Sequence, residues 1–153
     1  SPDVGPQGEP TPMIAAARNR RATFDSYEAA IERYASKPPM QFFDADILRA
    51  YVEQGFTPIG AGAGVELRCA PEHEARTFET GGTHGFWDLL PEVEARVIVV
   101  SGKVDEERSP AGIAASVAER LPNGSYIELT AGNHLTPFIT PDVIADLLRD
   151  TLS

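Results

Sequence analysis

Residues 95–134 read ARVIVVSGKVDEERSPAGIAASVAERLPNGSYIELTAGNH, and this stretch decides the fold. It opens with Val97-Ile98-Val99-Val100, a continuous run of β-branched apolar residues. Such a run is typical of a strand that is covered on both faces of a parallel sheet. Residues 103–110 are too polar and turn-prone to continue the strand, so they predict a loop at its carboxyl end. Open α/β sheets bind their ligands and perform their chemistry at that end.

A helix and a second strand follow this loop. Residues 111–121 predict a helix with one apolar stripe, made of Ile113, Ala114, Val117, Ala118 and Leu121. Residues 122–124 break the helix, and residues 126–129 resume an extended pattern before a second loop that contains His134. Two strands joined by a right-handed crossover helix lie parallel in one sheet. We therefore expect Asp105 and His134 to emerge at the same edge of that sheet.

Composition and charge exclude several classes of function. The 153 residues contain 13 Lys plus Arg against 23 Asp plus Glu, and the formal charge of −10 repels nucleic-acid phosphates and anionic lipids. No apolar run approaches the length of about 18 residues that a membrane span requires, and no signal peptide is recognisable. We expect a soluble protein with neither a nucleic-acid nor a membrane partner.

The chain has one cysteine, Cys69, and it cannot form an internal disulfide. It falls in an apparent strand over residues 65–69, where the sequence predicts a buried structural thiol. This cysteine usage favours the cytoplasm as the compartment.

The chain before residue 93 predicts an arm followed by short helices. Residues 1–12 hold four prolines and two glycines, which is typical of a linker. Pro12 is well placed as the first residue of a helix that continues through Arg21. The glycines of residues 60–64 lack the spacing of a dinucleotide-binding loop, so they predict a flexible turn.

Two further helices have recognisable ends. Asp25 and Glu28 have the spacing of a capping box, which predicts a helix that begins at Asp25. The next helix is predicted to begin near Asp44 and to end at Gly55, as a C-terminal glycine ends a helix.

His73 and His84 are candidate metal ligands because acidic residues lie near both in the sequence. Neither belongs to a histidine pair with the i, i+4 spacing of zinc proteases, and the chain has no cysteine pair. We therefore predict no metal site and no cofactor. His84 lies beside Phe86 and Trp87, and these three residues are predicted to line a substrate pocket.

Several of these features together resemble the C-terminal third of an α/β-hydrolase. They are the strand that ends in Gly102-x-x-Asp105, the helix that ends in Glu119-Arg120-Leu121-Pro122, the motif Gly132-Asn133-His134, and the helix that begins at Pro141-Asp142. The resemblance implies that Asp105 is the acid of a catalytic triad and that His134 is its base. It also extends to residues 20–55, which resemble the helical cap of such enzymes.

Two neighbours of Asp105, Glu106 and Glu107, compete with it for the role of the acid. Asp105 is favoured because a carboxylate just after the turn at Gly102 can point inward and orient an imidazole. Glu106 and Glu107 are predicted to stay in water.

One motif of the family is absent from these residues. The nucleophile elbow, G-x-S-x-G, precedes both acid and base in that fold, and it does not occur in the sequence. The resemblance therefore covers the latter half of such an enzyme. It implies hydrolysis of a small ester through a covalent intermediate on a serine, or on an aspartate as in epoxide hydrolases and dehalogenases.

These observations predict an α/β fold with three parts. Residues 1–12 form a linker, residues 13–92 form a helical cap segment, and residues 93–153 form the C-terminal part of an α/β-hydrolase parallel sheet. Two predicted strands are too few for such a sheet and leave an unpaired edge beside residues 97–100.

We expect the N-terminal half of the same hydrolase to cover that edge, either as an upstream segment or as a separate chain of a cleaved heterodimer. The expected substrate is a small molecule. The alternative is a non-catalytic interaction module that keeps part of the fold and binds a partner through its apolar edge.

Overall fold

The computed structural model describes residues 12–81, 85–103, 110–130 and 132–152. The chain divides into two compact units, Ser1–His84 and Gly85–Ser153. The boundary predicted from the sequence, between residues 92 and 93, lies inside the second unit. The assignment of the first part as a cap stays a prediction.

The first unit combines helices with a small antiparallel sheet of three strands in the order β1-β3-β2. The elements in chain order are α1 (Pro12–Arg18), β1 (Thr23–Phe24), α2 (Tyr27–Ala35), α3 (Ala45–Gly55), β2 (Phe56–Pro58), β3 (Val65–Leu67) and α4 (Pro71–Thr80). Short 3-10 helices occur at Met40–Phe42 and Gly60–Gly62. Helix α1 begins at Pro12 as predicted but ends at Arg18, before the predicted end at Arg21. Strands β1 and β2 are too short to show an alternating pattern and were not predicted.

The turn predicted at residues 60–64 joins β2 to β3. Gly64 has a φ of 108°, and a Cβ at this position would lie 2.2 Å from the carbonyl oxygen of Phe24. Only glycine allows both this conformation and this close approach. The turn thereby places β3 against β1 as well as β2.

The main core of the first unit is aromatic. It is formed by the buried residues Phe24, Ala30, Val52, Phe56 and Val65. Phe56 is fully buried, and its ring centroid lies 5.7 Å from that of Phe24 and 6.1 Å from that of Tyr34. Burial of these rings joins the sheet to α2 and α3.

Arg20 connects this core to α4. Its guanidinium donates to both carboxylate oxygens of Glu74 at 2.9 and 3.1 Å, and to the hydroxyls of Tyr34 and Tyr51. Burial raises the pKa of the Tyr34 hydroxyl, so that hydroxyl stays neutral beside the arginine. On the neighbouring turn, Arg18 pairs with Glu72 and lowers the pKa of that carboxylate.

The N-terminus of α2 corrects one prediction. The cap residue is Ser26 and not Asp25, because the Ser26 side chain accepts a hydrogen bond from the Ala29 amide at 3.1 Å. Asp44 caps α3 as predicted, accepting from the amides of Asp46 and Ile47. An Asp-Ser pair offers two candidate caps, and the sequence favoured the wrong one because Glu28 lies three positions after Asp25.

We expect Ser26→Ala to lower the free energy of unfolding of the first unit by about 1 kcal/mol, because the Ala29 amide loses its acceptor. Asp25→Ala is the matched control and should change stability by less than about 0.5 kcal/mol. Urea unfolding of the two variants measures both values. Equal losses in the two variants would contradict the assignment of the cap.

The predicted burial of Cys69 is wrong, because Cys69 is exposed. Strand β3 ends at Leu67, and the chain is then held by Arg68, whose amide donates to the carbonyl of Gly55 at 2.9 Å. Since α4 begins at Pro71, Cys69 lies in a short exposed connection and not in the strand.

The second unit contains the predicted pair of parallel strands. Its elements are α5 (Phe86–Leu89), a 3-10 helix (Leu90–Glu92), β4 (Val97–Ser101), α6 (Pro110–Arg120), β5 (Gly124–Glu128), α7 (Thr136–Ile139) and α8 (Pro141–Leu152). Strands β4 and β5 are adjacent and parallel, with Val97 opposite Gly124 and Ser101 opposite Glu128. This arrangement confirms the predicted strand, crossover helix and strand.

Helix α6 packs on this pair through part of its predicted stripe. Ala114, Ala118 and Leu121 are buried, whereas Ile113 is 39% exposed. A Cβ at Gly124 would lie 2.2 Å from the carbonyl oxygen of Ala118, so glycine is required where β5 begins beneath the helix.

None of the helices in the described part of the chain has the length and apolar character needed to cross a bilayer.

Candidate active site

His134 lies in the loop that joins β5 to α7, and we call residues 132–135 the histidine loop. Gly132 begins the loop with a φ of 90°, a conformation that favours glycine. A Cβ at Gly132 would lie 2.1 Å from Oγ1 of Thr136. The sequence therefore allows the chain to turn sharply at Gly132 and brings Thr136 back against the start of the loop.

The peptide group that precedes His134 is held by hydrogen bonds. The carbonyl oxygen of Asn133 accepts from the Thr136 amide at 3.0 Å and from the Thr136 hydroxyl at 2.6 Å. Oδ1 of Asn133 accepts from the Leu135 amide at 2.8 Å, which bridges the backbone on either side of His134. Thr136 is only 4% exposed, so its hydroxyl is shielded from competing water.

The histidine loop also contacts the end of β4. A Cβ at Gly102 would lie 2.5 Å from the Cα atom of Asn133, so the two backbones touch where β4 ends. The Lys103 amide donates to the carbonyl of Gly132 at 3.1 Å. The loop that carries His134 is thus anchored to the end of β4.

A buried hydroxyl lies at the same strand end. Ser101 is 7% exposed, and its Oγ donates to the carbonyl of Gly102 and lies 2.8 Å from the hydroxyl of Tyr126. The Tyr126 hydroxyl in turn lies 3.4 Å from the carboxylate of Glu128. These contacts cross-link the carboxyl ends of β4 and β5.

A cavity of about 280 Å³ opens beside His134, within the second unit. Its lining is mostly apolar and consists of Val100, Ser101, Gly102, Leu129, Asn133, His134, Thr136, Pro137, Ile144, Leu147 and Leu148. The imidazole therefore borders a space in which a small apolar group could lie, while His134 itself remains exposed.

Within the described ranges, no three His, Cys, Asp or Glu side chains come together in a way that could hold a metal ion.

Comparison with known proteins gives one kind of match. No protein-family model and no curated protein sequence matches the chain. Solved structures do match. A peroxisomal α/β-hydrolase from Saccharomyces cerevisiae matches over 95% of this chain at 13% identity, with a TM-score of 0.72. The fold is that of an α/β-hydrolase.

Two further structures agree with this α/β-hydrolase fold. E-2-(acetamidomethylene)succinate hydrolase matches over 90% of the chain at 17% identity with a TM-score of 0.67. MenH from S. aureus matches over 92% at 17% identity with a TM-score of 0.52. The chain spans only 39 to 49% of the length of these three proteins. It has the C-terminal part of the α/β-hydrolase fold, as the sequence predicted.

The remaining predicted site residues fall in different places. Asp105, with Glu106 and Glu107, and His84 lie outside the described residues. Phe86 is 65% exposed, and neither it nor Trp87 lines the cavity beside His134. Trp87 instead lies under Arg120, whose guanidinium carbon is 5.0 Å from the centre of the indole ring. A role for His84, Phe86 and Trp87 in substrate binding stays a prediction.

No sequence pattern singles out Ser101 or Thr136, two residues that shape the site, whereas Asn133 belongs to the motif Gly132-Asn133-His134. Ser101 and Thr136 act through their side-chain hydroxyls, and Asn133 acts through the contact of its backbone with Gly102. The one available signal was position, because Ser101 ends a strand and Asn133 and Thr136 flank the candidate base.

Proposed function

We propose that this chain supplies the base and the acid of a hydrolase triad, His134 and Asp105, to a nucleophile that lies outside these 153 residues. The observation that carries the proposal is the contact between Gly102 and Asn133. It fixes the loop of the candidate base against the strand end from which Asp105 follows three positions later (105 minus 102). The α/β-hydrolase fold raises the expectation by analogy.

The proposed reaction is hydrolysis of a small ester. The nucleophile's hydroxyl attacks the ester carbonyl while His134 accepts its proton, and the imidazolium then protonates the departing alkoxide. Water attacks the acyl-enzyme, with His134 again taking a proton and returning it to the nucleophile as the carboxylic acid leaves. Asp105 holds the imidazole tautomer and stabilises its protonated form. With an aspartate nucleophile, His134 would activate only the water of the second step.

We further propose that a nucleophile-bearing N-terminal half completes the sheet beside β4. In the described part of the chain, β4 pairs with β5 alone, and residues 97–100 are only half-buried. Val143 and Leu148 of α8 are 45% and 52% exposed. A β-branched strand and an amphipathic helix with open apolar surface are expected to have a further partner.

Expression of residues 1–153 alone and together with a nucleophile-bearing half tests the proposal. We expect hydrolysis of simple phenyl esters only from the assembly, because the acid and base provide no covalent route by themselves. The assay is initial rate against ester concentration, with the nucleophile replaced by alanine as the control. An isolated chain that is monomeric, cooperatively folded and active on these esters would contradict the proposal.

A non-catalytic interaction module is the second candidate, favoured by the absence of the elbow motif and by the exposed apolar residues of α8. Intact-mass analysis of the protein isolated from its source separates the two candidates. A companion polypeptide or segment with G-x-S-x-G, or with an aspartate elbow, supports the enzyme. A companion without either motif supports the module.

A further inference from the structure

We propose that Thr136 and Gly102 are positioning residues that hold the histidine loop, and with it His134, in one place relative to β4. This inference rests on the proposed function, since His134 is the base that they would position. It adds two residues to which the proposed reaction gives no chemical step of their own. Both act on the same peptide group, the one that joins Asn133 to His134.

Thr136 holds this peptide group by two hydrogen bonds. Its amide and its hydroxyl both donate to the Asn133 carbonyl, at 3.0 and 2.6 Å. A carbonyl oxygen has two lone pairs, so these two donors satisfy it fully. The Thr136 side chain is buried. Its hydroxyl oxygen lies so close to Gly132 that a Cβ there would be only 2.1 Å away. Rotation of the peptide would break both hydrogen bonds.

Gly102 restrains the same peptide group by close backbone contact. The place of its missing Cβ lies 2.5 to 2.6 Å from the Cα, carbonyl oxygen and carbonyl carbon of Asn133. All three are backbone atoms, so any side chain at Gly102 must displace the histidine loop. The hydrogen bond from the Lys103 amide to the Gly132 carbonyl joins the two segments just beyond this contact.

We call the contacts of Thr136 and Gly102 with this peptide group the clamp. The clamp matters for proton transfer because His134 is exposed. An exposed imidazole on a free loop would sample many positions, whereas a general base must meet the nucleophile within hydrogen-bond reach. Fixing the backbone immediately before His134 restricts the imidazole to rotation about its own side-chain bonds. The contact with Gly102 also fixes the histidine loop relative to the end of β4.

Hydrogen exchange tests the clamp without reference to activity. In Thr136→Val, which removes the hydroxyl at nearly constant shape, we expect the amides of Leu135 and Lys103 to exchange about tenfold faster. Thr136→Ser keeps the hydroxyl and should retain slow exchange. Thr140→Val is the matched control, because the Thr140 hydroxyl makes only a 3.4 Å contact with the Thr136 carbonyl. The measurement is made on the 153-residue chain, alone and with the nucleophile-bearing half.

Kinetics on the assembled hydrolase test the consequence for His134. We expect Thr136→Val to lower kcat about tenfold and Gly102→Ala to lower it about 10²-fold, with KM nearly unchanged in both. Thr136→Ser should restore most of the lost turnover, and Thr140→Val should match the native rate. If Gly102→Ala does not fold, the Thr136 pair still decides the question.

The outcomes separate this inference from the proposed function. Unchanged exchange in Thr136→Val overturns the clamp, and faster exchange with an unchanged kcat overturns the positioning role. If the native assembly hydrolyses no ester, the proposed function is wrong. In that case the exchange rates of Thr136→Val against Thr136→Ser alone decide whether the clamp exists.

Discussion

Replacing His134 by alanine in the assembled hydrolase is expected to lower kcat by roughly 10⁴- to 10⁶-fold while KM changes little. The imidazole is the proposed base in both half-reactions, and no other described histidine lines the cavity beside the strand ends. Its loss therefore removes an interaction that operates in the transition state and leaves substrate binding in place. Steady-state kinetics on a simple ester give both constants.

His73→Ala is the control for this prediction. His73 lies on an exposed position of α4 in the first unit, and its loss should leave the rate within about twofold of native, as expected for surface substitutions. A His134→Ala assembly that keeps more than about a tenth of the native kcat would exclude His134 as the base, because general bases contribute at least 10²-fold.

Replacing Phe56 by alanine is expected to lower the free energy of unfolding of the first unit by about 3 to 5 kcal/mol. Phe56 is fully buried, and its ring packs edge to face on Phe24, so truncation leaves a cavity between the sheet and its covering helices. A loss of this size is a large share of the stability of a small unit. Urea unfolding followed by the near-ultraviolet circular dichroism of the tyrosines measures it, since three of the four tyrosines belong to the first unit.

Phe42→Ala is the matched control, because Phe42 is 56% exposed and should change stability by less than about 0.5 kcal/mol. The single tryptophan, Trp87, belongs to the second unit, so its fluorescence reports that unit separately. A Phe56→Ala chain as stable as Phe42→Ala would contradict the described core.

The second unit could be predicted because its signals are local. A four-residue β-branched run, a helical stripe and a break at Pro122 each lie in one short window, and the preference for right-handed crossovers then determines that β4 and β5 are parallel. Strand β5 begins at Gly124, two residues before the predicted start (126 minus 124). The early start depends on the close approach of Gly124 to Ala118, which no pattern of hydrophobicity reveals.

The first unit was harder to predict because its sheet is made of very short strands. Strand β1 has two residues and β2 has three, which is too few for a period of two to appear. Their pairing depends on the positive φ of Gly64 and on burial of Phe24 and Phe56 against helices that are distant in sequence. The exposure of Cys69 follows from the same geometry, since β3 ends as soon as its pairing with Phe56 ends.

The choice of candidate site residues depends on the same difference between local and tertiary signals, and their catalytic roles stay predictions. His134 and Asp105 could be selected because both follow strands of a parallel pair, and the position of a strand end is a local property. The contacts of Thr136 and Gly102 with the Asn133 backbone could not be predicted, although Gly102 itself ends the predicted strand. Whether a threonine hydroxyl donates to a particular carbonyl is decided by tertiary structure and not by residue type.

The distance between a carboxylate oxygen of Asp105 and Nδ1 of His134, in a crystal structure of the assembled hydrolase, tests the central claim most directly. We predict a hydrogen bond of about 2.7 to 2.9 Å, the length of a charge-assisted contact between an imidazole and a carboxylate. Ordered Asp105 and His134 side chains that are too far apart for a hydrogen bond or one bridging water would contradict the claim that this chain supplies the acid and the base of a triad.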